Sequence, residues 1–138
     1  MPKIAIITDT DSSLSAEVAH ANHIQLVPIG IHFGDEVFTT GVDIDDARLF
    51  DRVNRLGKLP TTAAPTPEHF LRAYQQAFDG GAEALICYCI SAKMSATYSA
   101  AVLAREMLPD REIEVVDTNS VSLGQGYMAL AAADIIRA

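Results

Sequence analysis

The chain is short of positive charge, of cysteine and of long apolar runs, and each shortage closes off a class of function. Its 138 residues carry 10 Lys and Arg against 18 Asp and Glu, a net charge of −8 at pH 7. A surface of that sign repels nucleic acid and anionic membranes. No apolar run approaches the ~20 residues of a spanning helix. No basic N-terminal segment leads into a long apolar core, so there is no signal peptide and the cytoplasm is the expected compartment. Cys87 and Cys89 are the only two cysteines. Two apart on a strand, they share a face and are poorly placed to bond to each other. The run around them lacks His and Asp, so it offers no metal site, and both read as small buried hydrophobes.

Several chemistries are missing with their motifs. There is no GxxxxGK[ST] phosphate loop and no GxSxG nucleophile elbow. "GQG" (124–126) lacks the third glycine and the preceding fingerprint of a dinucleotide site. His20 and His23 read as the solvated face of a short helix. His32 and His69 have no neighbouring Cys or Ser with an orienting acid. Asp43, Asp45 and Asp46 read as a capped helix start rather than a cation loop. No cofactor is implied. There is no internal repeat and no low-complexity tract.

Hydrophobic residues, by contrast, make up 49% of the chain, enough for one domain, residues 1–138, with a real core. "KIAIIT" (3–8) predicts a strand that stops at the polar turn "DTDSSLS". "SAEVAHANH" (15–23) predicts a short helix. "IQLVPIGIHF" (24–33) reads as extended and irregular at Pro28, and "EVFTT" (36–40) returns as a hairpin strand after Gly34-Asp35. A helix is expected from Asp46, capped by Asp45 and stopped by Gly57, with Leu49, Phe50, Val53 and Leu56 as its apolar stripe. Residues 57–66 are expected to be a loop, with "TTAAPT" (61–66) irregular. Thr66 caps the next helix, with Pro67 at its first position. "EALICYCI" (83–90) reads as a central strand covered on both faces. A helix over 95–108, a strand over 112–117 and an alanine-rich helix complete the chain. The alternation predicts an α/β fold with a mostly parallel sheet and helices on both faces.

In such a sheet, ligands bind beyond the carboxyl ends of the strands. The loops there carry Asp9, Asp11, Ser12 and Ser13; Thr61 and Thr62; Ser91 and Ser95; and Asp117, Thr118, Asn119 and Ser120. Lys93 is the one cation among them. Hydroxyls beside a helix N-terminus make a seat for a small anion, because free N–H groups and the helix dipole favour negative charge there. Ala96 adds little bulk. Ser12, Ser91, Ala96, Thr97, Asn119 and Ser120 are candidates to extend the seat. Ser12, Ser13 and Ser120 read first as helix caps.

Taken in order, five segments resemble the bacterial DegV family of fatty-acid-binding proteins: "IITDTDSSLS", "VPIGIHFGDEVFTTGVDI", "LPTTAAPTPEHF", "ISAKMSATYSAA" and "IEVVDTNSVSLGQG". The resemblance implies a DegV-like N-terminal α/β domain that binds a long-chain fatty acid without being an enzyme. It implies that Thr62 and Ser95 hold the carboxylate, and that a separate fatty-acid kinase is the partner to which some members present the lipid. The pattern departs at Ala63-Ala64, where the family has Ser-Gln, and at Ala96, where it has Gly. Family members are about twice as long, so a C-terminal domain is expected to be missing and the chain truncated. Two other readings remain open: an enzyme acting on small phosphorylated or carboxylated metabolites with Asp9 or Asp117 as base, and a non-binding domain whose hydroxyls only cap helices.

Overall fold

The computed structural model describes Met1–Ala138. Strand β1 (Ile4–Asp9) ends in a 3-10 turn, Thr10–Ser12, and leads to α1 (Ala16–Ala21). There follow β2 (Ile24–Val27), β3 (Gly30–Phe33), β4 (Glu36–Thr39), α2 (Asp46–Leu56), β5 (Thr61–Ala63) and α3 (Pro67–Asp79). The chain closes with β6 (Ala84–Cys89), α4 (Thr97–Glu106), β7 (Glu112–Asp117) and α5 (Leu123–Arg137). Four strands form a parallel sheet in the order β2-β1-β6-β7, and three form a small antiparallel sheet in the order β4-β3-β5.

Strand alternation sends neighbouring residues of β1 into different cores. Ile7 joins Phe70, Tyr74, Leu85, Cys87, Cys89 and Ala101 between the sheet and α3/α4. Ile6 joins Leu14, Ala19, Ile24, Ala129 and Ala133 beneath α1 and α5. Phe70 and Tyr74 are wholly buried, and burial of such a side chain stabilises by about 1.5–3 kcal/mol. Both faces of β6 are therefore covered, as its nearly continuous apolar run requires. The Thr66 cap accepts from the His69 N–H, while His69 Nδ1 accepts from the Thr66 N–H, completing a capping box.

Five expectations need correction. Residues 24–33 are two strands in two different sheets, broken at Pro28-Ile29. Pro28 has no N–H to give, and Ile29 leaves the ladder by donating to Thr10 Oγ1 while its carbonyl accepts from the Thr40 N–H. Thr61–Ala63 is a strand, not irregular chain. Pro60 and Pro65 flank it without interrupting it, and it pairs antiparallel with Gly30–His32. The helix expected from residue 95 starts at Thr97. His23 lies beyond α1 with a φ of 55°. On α2 only Leu49 and Val53 of the apolar stripe pack inward, against Ile29, Ile31, Phe33 and Ile44; Phe50 and Leu56 are 63% and 51% exposed.

Candidate anion site at the carboxyl edge of the parallel sheet

Strands β1, β6 and β7 end side by side, and their loops are tied together through the backbone. The Ser91 N–H donates to the Ser120 carbonyl at 2.9 Å, the Thr118 hydroxyl donates to the Cys89 carbonyl at 2.7 Å, and the Ser122 N–H donates to the Asp11 carbonyl at 2.8 Å. Asp117 Oδ1 accepts from the Ala92 and Asn119 N–H groups, each at 3.1 Å. The Ser13 and Ser122 hydroxyls meet at 2.9 Å. Three residues of this edge have positive φ: Ser13 at 57°, Asn119 at 51°, and Ser122 at 59° with ψ −142°.

The loop after β6 delivers the seat. The Ser91 carbonyl accepts from the Met94 and Ser95 N–H groups, at 2.9 and 3.2 Å. The Ser91 hydroxyl accepts from Lys93 N–H at 3.3 Å and is itself buried. Ser95, half-buried, accepts from the Thr97 N–H at 3.2 Å and shares a 2.8 Å bond with the Thr97 hydroxyl. The N-cap residue of α4 is Ala96, which has no side-chain oxygen to offer. The N–H groups of Tyr98 and Ser99, in the first turn, have no intrahelical acceptor and point beyond the helix end. Ala96 has a φ of −75°, a conformation open to any residue, so the Cβ it carries in place of hydrogen imposes no backbone strain.

Thr62 is presented differently. It lies at the middle of β5, on the outer edge of the small sheet, opposite Ile31, and it is exposed. Its hydroxyl takes part in none of the side-chain hydrogen bonds that hold the fold, and none joins it to Ser95. A cavity of about 420 Å³ lies on the other face of that sheet, lined by Leu26, Pro28, His32, Ala63, Pro65 and Arg72 among others. Alternation along β5 turns Ala63 toward it and Thr62 away. Neither Thr62 nor Ser95 lines the cavity.

The other residues of the edge make contacts within the fold. Asp9 is fully buried, with Oδ1 accepting from Asp11 N–H at 2.9 Å and Oδ2 from Ile90 N–H and Gln125 Nε2, both at 3.0 Å. Burial pushes its pKa from 3.8 up to about 6, against the opposing pull of the Ile90 N–H, with the nearby Asp11 charge adding to the rise. A carboxylate so enclosed cannot reach a substrate, which removes Asp9 as a general base. Asp117 has one oxygen committed to two amides. Ser12 is buried beneath the turn, with only a long 3.5 Å contact from Leu14 N–H to its hydroxyl. Ser120 lies beneath Gly124, where a Cβ would collide with its hydroxyl. The Cys87 and Cys89 thiols are buried 3.8 Å apart and unbridged, and the neighbouring Cys87 thiol, with burial, raises the Cys89 pKa. Such thiols are unreactive. No cluster of three or more His, Cys, Asp or Glu is placed to hold a metal. Gln125 was not legible as a site residue. Its one sign was a Gln between two glycines at the start of an otherwise apolar helix.

Residues 3–138 match the family model described as "Uncharacterised protein, DegV family". The chain belongs to the DegV family. A DegV domain-containing protein of Clostridium perfringens is 37% identical over 136 residues, which is 99% of this chain and 48% of that protein. Among solved structures, a DegV family protein from Thermus thermophilus, described for its fatty acid binding, is 31% identical with a TM-score of 0.87, covering 98% of this chain and 48% of that one. DegV of Bacillus subtilis, described as a fatty acid binding protein, is 27% identical with a TM-score of 0.89, covering 99% and 48%. The DegV fold expected from the sequence is therefore present, and the two solved relatives are described for fatty acid binding. The chain spans about half the length of the DegV relatives it matches. No helix of this DegV chain is long and apolar enough to cross a membrane.

Proposed function

We propose that this chain binds a long-chain fatty acid, with its carboxylate held by the Thr62 and Ser95 hydroxyls and by the free N–H groups of the α4 first turn. The observation that carries the reading is the start of α4: a half-buried hydroxyl, Ser95, beside a helix N-terminus whose cap residue is Ala96. A carboxylate is the ligand such a site satisfies, since it accepts several hydrogen bonds and complements the dipole. The fatty-acid-binding relatives support the choice of carboxylate over phosphate. The acyl tail needs apolar cover; the cavity lined by Ala63 opens on the face of β5 opposite Thr62, so the tail would cross the β5 edge to enter it. Its volume, about 420 Å³, falls within the ~300–1,000 Å³ of small-molecule sites. We further propose, as the resemblance to the DegV family implies, that the bound acid is presented to a separate kinase.

Ser12, Ser91, Thr97, Asn119 and Ser120 support the seat from below and beside it in this reading. The test is displacement of a fluorescent fatty acid by palmitate. Thr62→Ala and Ser95→Ala each remove one hydrogen bond to a charged group, about 1.5–3 kcal/mol or roughly 10- to 100-fold in Kd. The double variant, with its melting temperature preserved, is expected to lose binding; unchanged affinity in that variant overturns the assignment.

A further inference from the structure

Beneath the loop that carries Ser95 lies a buried polar cluster that the fatty-acid reading does not use. Asp9, the last residue of β1, and Gln125, in the first turn of α5, are both wholly buried. Gln125 Nε2 donates to Asp9 Oδ2 at 3.0 Å, to Thr8 Oγ1 at 2.9 Å and, more weakly, to the Tyr88 carbonyl at 3.3 Å. Thr8 Oγ1 donates to the same Tyr88 carbonyl at 2.8 Å. Asp9 Oδ2 also takes the Ile90 N–H. Ile90 is followed at once by Ser91, whose carbonyl holds the Ser95 N–H. An unbroken path of direct bonds therefore runs from α5, through one carboxylate, to the proposed carboxylate seat.

Two features of this cluster are costly to a fold. Asp9 is an anion out of water, and its nearest charged neighbour, Asp11, repels it. Gln125 Oε1 is buried and has no partner. Cores avoid buried charges and unsatisfied polar groups, and where the two persist side by side, function is a common reason. We propose that Asp9 and Gln125 are positioning residues of the fatty-acid site: a buried clasp that sets where the Ser91–Ser95 loop sits over the sheet and against α5. The proposal rests on the fatty-acid reading for its ligand and on the hydrogen bonds alone for its geometry.

The clasp makes the site sensitive to pH. The titratable groups facing Asp9 are Asp11 from the 3-10 turn and Cys89 from β6, with Asp117 further along the edge; α5 contributes only the neutral Gln125. All three donors to Asp9 are N–H groups, and each bond is charge-assisted while the carboxyl is ionised, so a proton on it weakens them. Neutralising Asp9 loosens Ile90 and the loop behind it.

The experiment is an amide NMR titration from pH 8 to 5, paired with binding of hexadecanesulfonate, a probe that stays anionic throughout. The Ile90 and Ser95 amides are expected to shift with one common midpoint near pH 6. Affinity for the sulfonate is expected to fall roughly tenfold through the same midpoint, the loss of about one charge-assisted hydrogen bond. Asp9→Asn is expected to hold the weak affinity at every pH. Gln125→Met, which removes a donor to the carboxylate, is expected to move the midpoint upward. A Ser95 amide that ignores the Ile90 midpoint overturns the clasp, as does a folded Asp9→Asn protein that binds as tightly as wild type at pH 7.5. If Asp9→Asn does not fold, Gln125→Met decides: an unmoved midpoint overturns the proposal. If wild type binds neither sulfonate nor palmitate at any pH, the fatty-acid reading fails, and the Ser95 titration still decides the clasp.

Discussion

Gly126→Ala tests the packing that brings α5 to the site. In an exposed helix interior this substitution stabilises by about 1 kcal/mol, because alanine loses less backbone entropy than glycine. Here the opposite is expected. A Cβ at Gly126 would lie 2.6 Å from the Ser12 carbonyl oxygen and 3.0 and 3.2 Å from Leu14 Cδ2 and Cγ. A carbon–oxygen contact normally stays beyond about 3.3 Å, so the first turn of α5 must retreat by more than half an ångström, or the Ser12–Leu14 backbone must give. Ser12 and Leu14 are buried, and the closest contact, the Ser12 carbonyl oxygen, is backbone. Overpacking of this kind costs about 1–3 kcal/mol, with contacts against backbone at the upper end. Against the propensity gain, a net loss of about 2 kcal/mol is expected. In urea this lowers the midpoint with the slope unchanged; on heating it lowers Tm by about 5–10 °C. The retreat also draws Gln125, one residue earlier, away from Asp9. Gly34→Ala is the control: a Cβ there meets nothing within 4 Å, although φ is 60°, so it bears only the left-handed strain of ~1–2 kcal/mol. A Gly126→Ala protein as stable as wild type, or more so, would refute the close approach of α5 to the turn after β1.

Two further outcomes follow from the same edge. Because burial raises the Asp9 pKa from 3.8 to about 6, the folded state holds a proton that the unfolded chain has released. That stabilisation is complete below about pH 3.8 and is lost as pH rises through about 6, on the order of 3 kcal/mol in all at 1.36 kcal/mol per pKa unit. The stability difference between wild type and Asp9→Asn, measured by urea unfolding at successive pH values, is expected to move against wild type by that order between pH 4 and 7; a constant difference would contradict it. Ser122→Gly is expected to stabilise by about 1 kcal/mol, since φ 59° with ψ −142° is a conformation nearly restricted to glycine. A lower Tm in that variant would mean that the Ser13–Ser122 bond outweighs the strain.

The parallel sheet was legible because its strands are buried on both faces or nearly so. "IAIITD" and "ALICYC" are runs of apolar residues that only a covered strand tolerates, and the cap and stop residues Asp45, Gly57 and Thr66 bounded their helices correctly. The small sheet was less legible because tertiary pairing defines it. Thr61–Ala63 has no apolar alternation and sits between prolines, yet β3 presents an open edge to it. Ile24–Phe33 has one continuous apolar pattern, and nothing in that pattern tells that Ile29 will turn to Thr10 and Thr40. At the candidate site, hydroxyls before an alanine-rich helix start are a local signal, and the choice of Thr62 and Ser95 among them rests on the family resemblance. Asp9 was read as a candidate base because burial, which decides its role, is not local. Gln125 was missed for the same reason: its partners, Thr8 and Asp9, lie more than a hundred residues away.

The central claim, a fatty acid held at Thr62 and Ser95, is tested most directly by native mass spectrometry of the purified protein, followed by organic extraction and lipid analysis. It should be made on the 138-residue chain and on any longer chain that carries it. The expected result is one long-chain fatty acid per protein molecule, lost when Thr62 and Ser95 are both alanine. A full-length protein that carries no fatty acid and takes up none when palmitate is added, or a double variant that retains it, would contradict the account.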